Sequence, residues 1–191
     1  MDVEELHRRS VEAFVALVGQ VPADRWGDPT PCTDWTVREL VNHLVYEQLW
    51  TPPMFAGATI AEVGDRFEGD LLGDDPAAAT RAAAAGAIAA VAEPGALTRT
   101  VHLSFGDTPA EEYARQLSAD HLIHSWDLAK GAGLSGRLDP ELVDEVAAWF
   151  VDREHAYRAS GVIGLRPIPV SDHPQDRLLN AFGRASRYWE D

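Results

Sequence analysis

Helix-start signals recur along the chain, each followed by apolar residues at helical spacing, and this repetition constrains the fold more than any other feature. In TVRE, Thr36 and Glu39 have the spacing of a capping box. Trp35 and Leu40 flank it as a hydrophobic staple. Asp75-Pro76, Thr108-Pro109-Ala110-Glu111 and Asp139-Pro140 each place a capping side chain before a first-turn proline. The apolar positions of residues 3–18, among them Leu6, Phe14 and Val18, add a helix at the start. The second helix is expected to pass through His43 and stop near Thr51-Pro52-Pro53, because proline lacks the amide donor. An alanine-rich helix should end before Glu93-Pro94-Gly95. The next should run to Lys130, ahead of Gly131 and Gly133, and the last long one to about Ala159. RTVHLSF alternates apolar and polar residues, which predicts at most a minor strand. A short helical segment is expected around Gln175 to Phe182. The class is therefore mainly all-α, a four-helix bundle over residues 1–160. Residues 161–191 form a short irregular extension packed on the bundle, too short to be an independent domain.

Charge and cysteine content narrow the function. Sixteen basic against thirty-one acidic residues give a formal charge of -15. That disfavours a phosphate backbone and an anionic lipid surface as partners, so neither nucleic acid nor membrane is expected. No stretch is apolar and long enough to span a bilayer, and the amphipathic start is not a secretory signal. Cys32 is the single cysteine, which excludes an intrachain disulfide and suits a reducing compartment. The expected location is the cytoplasm, as a monomer or a homodimer.

The chemistry-bearing residues cluster on two helices. Asp120 and His124 lie four apart, hence on one helical face, which they share with Tyr113, Leu117 and Leu128. His43 stands three residues from Leu40 on the second helix. Two imidazoles and a carboxylate suit zinc, and also nickel, iron or manganese. Three protein ligands leave positions open for chemistry. The spacing alone equally fits a hydrogen-bonded core histidine and a metal-free Asp-His pair.

Three motifs in order, PTPCTDWTVRELVNHL, HLIHSWDLAKGAG and PVSDHPQDRLLNAFGR, resemble the mycothiol-dependent maleylpyruvate isomerase-like metal-binding family of the DinB superfamily. The resemblance implies a DinB-type bundle with a metal held by His43, Asp120 and His124, and mycothiol as a cofactor thiol. Asp120 stands where the isomerases look to carry glutamate. About thirty residues follow Gly161 here, where the isomerases have a further domain. Maleylpyruvate isomerisation itself is therefore not the expected activity. The expected function is a metal- and thiol-dependent transferase or isomerase acting on an electrophilic substrate. A non-catalytic metal-binding module and a metal-dependent hydrolase are the alternatives.

The neighbouring residues have blander expectations. His121 should face a neighbouring helix or solvent, with fourth ligand as its lesser role. Glu47, one turn beyond His43, is an outer-shell partner or base if it is not simply solvated. Trp126 reads as core and Asp127 as a hydrogen-bond partner. Cys32, near a helix start, is either a thiol activated by the helix dipole or a packed small residue. His7, His102, His155 and His173 lack ligand spacing, and His173 reads as part of a loop or cap. Arg177 and Arg184 either bind an anion near the bundle mouth or form salt bridges.

Overall fold

The computed structural model describes residues 1–168 and 171–186. Helices α1 (Val3–Val18), α2 (Val37–Phe55), α4 (Pro76–Val91) and α5 (Ala110–Ala132) form the bundle. Helix α1 packs on α5 and α4, and α2 packs on α4 and α5, so each long helix has two neighbours around a shared core. Short α3 (Ile60–Val63) lies between α2 and α4, and β1 (Thr100–Leu103) pairs antiparallel with β2 (Gly106–Pro109) ahead of α5. Helices α6 (Pro140–Phe150), α7 (Glu154–Ala159) and α8 (Pro174–Ala181) follow. Among the described residues no helix is long and apolar enough to cross a membrane.

The local signals act as the sequence implies at several ends. Thr36 and Glu39 close a full capping box on α2, and Asp75 and Asp139 accept from backbone amides at the starts of α4 and α6. His173 caps α8, accepting from the Gln175 amide.

Four boundaries differ. Helix α2 runs through Pro52 and Pro53 to Phe55. Met54 and Phe55 are each 1% exposed and Phe55 stacks on Tyr113, so burial outweighs the two missing amide donors. Thr108 and Pro109 belong to β2 rather than to a capped helix start. There the Ala110 amide donates to the Arg99 carbonyl, replacing a side-chain cap. Gly131 lies inside α5, and Gly133, with φ at +69°, ends it. The helix expected to reach Ala159 breaks after Phe150, where Arg153 turns back to the Trp149 carbonyl and to Glu112.

Gly131 has a definite role in placing the site. A Cβ there would meet Thr30 Cγ2 at 2.9 Å, Val37 Cγ2 at 3.0 Å and the Pro29 carbonyl at 3.2 Å. The loop before α2 therefore lies directly on α5. Thr30 fastens that loop, its hydroxyl donating to the Cys32 and Trp35 carbonyls. Trp35 is thereby delivered to the face where α2 and α5 meet.

Candidate metal centre

Three potential ligands converge between α2 and α5. His43 Nε2 lies 3.4 Å from Asp120 Oδ2, and His124 Nε2 lies 3.4 Å from Asp120 Oδ1. One donor atom from each of the three falls within 4.8 Å of the others. These contacts are longer than a charge-assisted N–H···O bond of about 2.7–2.9 Å. The two imidazoles face different oxygens of Asp120, so the carboxylate lies between them with one oxygen toward each. The residues present thus fit a divalent metal in separation and in donor type.

The surroundings fix one ring firmly. His124 Nδ1 donates to Asp127 Oδ2 at 3.0 Å, which leaves Nε2 turned to Asp120 and His43. Asp127 is wholly buried and also accepts from Arg184. A carboxylate behind a histidine sets ring orientation and strengthens it as a ligand. Trp35 stacks on His43, with ring centroids 4.4 Å apart at 26°.

Electrostatics tie the group together. Burial would raise the Asp120 carboxyl, yet the two imidazoles, His124 foremost, hold it well below the usual carboxylate range. Burial would lower His124, but Asp120 and Asp127 push it up to about 9. In the metal-free protein at neutral pH His124 is therefore an imidazolium. Burial, together with the Asp120 charge, pushes Glu47 up to about 7, with His43 and His124 offsetting part.

The remaining residues sort themselves by contact. His121 is 1% exposed and points away from the triad, its Nδ1 donating to the Leu117 carbonyl and its Nε2 facing the Gln48 amide. It is a core residue, which removes it as a fourth ligand. Trp126 is core, as expected. Cys32 lies near His124 and Asp127, but five residues ahead of the first residue of α2. Burial pushes its thiol up, the opposite of what dipole activation would do. Cys32, His124 and Asp127 also bring one donor atom each within 4.8 Å of one another, but there the His124 and Asp127 atoms are bonded to each other. His102 pairs with Asp107 in the hairpin, while His155 and Arg177 are exposed. His7 is buried against His121. Sequence reasoning missed Trp35 as a wall of the site, because its place before the capping box already explained it.

Beside His43 the surface opens into a cavity of about 690 Å³ between α2 and the segment 67–70. Trp35, Tyr46 and Phe67 supply aromatic wall, and Asp34, Glu39, Glu68 and Asp70 supply carboxylates. Its arginine, Arg38, is taken up by Asp70 and the Gly73 carbonyl.

Residues 7–129 match the family described as the mycothiol maleylpyruvate isomerase N-terminal domain. Uncharacterized protein Rv0738 of Mycobacterium tuberculosis (strain ATCC 25618 / H37Rv) is 35% identical over 192 residues, covering 98% of this chain and all of its own. Uncharacterized protein MT0763 of strain CDC 1551 / Oshkosh matches to the same extent. Uncharacterized protein Rv0036c of the former strain is 45% identical over 49 residues, 26% of this chain and 18% of its own. No solved structure matches the chain significantly.

Proposed function

The chain belongs to the mycothiol maleylpyruvate isomerase N-terminal domain family, and from that premise we propose a divalent-metal-dependent transferase or isomerase that uses a low-molecular-weight thiol. His43, Asp120 and His124 are the ligands in this reading, zinc the metal and mycothiol the thiol. The observation that carries it is the convergence of two Nε2 atoms on one carboxylate, each at 3.4 Å, beside an open cavity. A zinc ion in such a set supplies Lewis acidity that makes a thiol more acidic. Nickel, iron and manganese accept the same donors.

The chain's own groups then do the following. Asp127 holds the Nδ1 proton of His124 and keeps Nε2 on the open side. Trp35 covers one face of His43 and limits the approach of water there. Glu47, shifted by burial to about 7, is able to take or give a proton at neutral pH. The cavity's carboxylates favour a neutral or cationic electrophile over one rich in carboxylates, because Arg38 is already paired. That argues against maleylpyruvate, itself a dicarboxylate, as the substrate.

The electrostatic coupling of Glu47 to Asp120, His43 and His124 supports a second reading, hydrolysis with Glu47 as general base toward water. Loading the protein with cobalt and titrating it with mycothiol separates the two. A saturable sulfur-to-cobalt absorption band is expected. A cobalt spectrum that stays unchanged up to millimolar thiol would sink the thiol reading and leave the hydrolytic one.

A further inference from the structure

The carboxylate that orients His124 is itself gripped from outside the family-matched residues 7–129. Asp127 has no exposed surface, and a buried carboxylate is costly unless fully paired. His124 Nδ1 supplies one bond, and Arg184 supplies the rest. Its Nη2 donates to Oδ2 at 2.7 Å, and its Nε lies 3.2 Å from Oδ2 and 3.3 Å from Oδ1.

Arg184 reaches this point because α8 carries it there. The Arg184 amide donates to the Leu179 carbonyl, the Asn180 side chain donates to the Arg184 carbonyl, and Nη1 donates to the Phe182 carbonyl. Gly183, with φ at +83°, makes the turn between them. Phe182 stacks on Phe150 of α6 with centroids 3.9 Å apart, which fixes the end of α8 independently of Asp127.

We propose that Arg184 is a positioning residue for the His124 ring, acting through Asp127 to hold Nδ1 bonded and Nε2 turned toward His43 and Asp120. Without the guanidinium, Asp127 keeps only its bond to His124 among the described residues and is free to rotate, which releases the ring. The planar fork matters, since lysine offers a point charge in its place. The consequence for metal affinity rests on the metal reading given above, whereas the effect on the ring does not.

The test uses the full chain and zinc alone, measured by competition with a chromophoric chelator, for wild type, Arg184→Met, Asp127→Asn and the double variant. Arg184→Met is expected to bind about 10–100-fold more weakly. In the Asp127→Asn background the same change should cost little. An equal loss in both backgrounds would mean that Arg184 acts through packing, and the proposal falls. In parallel, NMR of the metal-free protein should show a slowly exchanging His124 Nδ1 proton that Arg184→Met abolishes. If Arg184→Met does not fold, Arg184→Lys takes its place: weakening supports the proposal and unchanged affinity overturns it. A wild type that takes up no zinc, with the Nδ1 proton still dependent on Arg184, sinks the metal reading and leaves the positioning role standing. A wild type that binds zinc, with Arg184→Met equally tight and its Nδ1 proton intact, sinks the positioning role alone.

Discussion

Proton release on zinc binding is the most direct quantitative consequence of the site's electrostatics. His124 is pushed up to about 9 by Asp120 and Asp127 against the opposing effect of burial, so at pH 8 about nine-tenths of the metal-free protein carries the imidazolium. An imidazolium has no lone pair to give, and zinc must displace that proton. Lower pH therefore weakens binding. Between pH 8 and pH 7 the apparent affinity should fall by up to about tenfold from His124 alone. Glu47, at about 7, is mostly ionised at pH 8, so the proton count there belongs to His124. Isothermal titration calorimetry at pH 8 in buffers of different ionisation enthalpy should return about one proton released per zinc. Asp127→Asn removes one of the two carboxylates that raise His124 and should lower the count to a fraction. Tight zinc binding with no proton released, and with an affinity flat between pH 7 and 8, would refute the coupling of Asp120, His124 and Asp127 described here.

Other consequences concern the scaffold. His7 is 1% exposed, neither of its ring nitrogens has a partner among the described residues, and burial, with His121 adding, lowers it to about 3. A depressed histidine contributes stability that is full above the unfolded value of 6.5 and is lost as pH falls toward 3. Between pH 7 and pH 5, His7 should thus cost about 2 kcal/mol, a loss that His7→Leu abolishes in urea melts at the two pH values. Equal acid sensitivity in the variant would contradict this. Gly131→Ala should destabilise by about 1–3 kcal/mol through its clash with the loop before α2, measurable by urea unfolding. A gain in stability, as expected for alanine in an open helix, would mean that the loop yields freely. Thr36→Ala should cost about 1 kcal/mol by opening the capping box, again by urea unfolding.

Much of the bundle was legible because its helix starts depend on local chemistry. Thr36 with Glu39, Asp75 with Pro76 and Asp139 with Pro140 work within one turn, and no distant contact is needed to recognise them. The ends of elements were less legible, since they depend on packing. Pro52 and Pro53 read as a stop, but the burial of Met54 and Phe55 carries α2 past them. Nothing local between Phe150 and Glu154 marks the break set by Arg153 and its distant partner Glu112. In the site, the four-residue spacing of Asp120 and His124 and the placing of His43 by its capped helix were visible in advance. The grip of Arg184 on Asp127, fifty-seven residues away along the chain, was not distinguishable from a surface salt bridge without the fold. Cys32 seemed close to a helix dipole only while the start of α2 was the sole landmark. Burial in the loop held by Thr30 governs its thiol instead.

The central claim is that His43, Asp120 and His124 hold a divalent metal. Elemental analysis of untagged protein, wild type beside His43→Ala, Asp120→Ala and His124→Ala, tests it most directly. Near-stoichiometric zinc or another divalent ion in the wild type, lost from each folded variant, is the predicted result. A wild type that cannot be loaded, or variants that keep their metal, would contradict it.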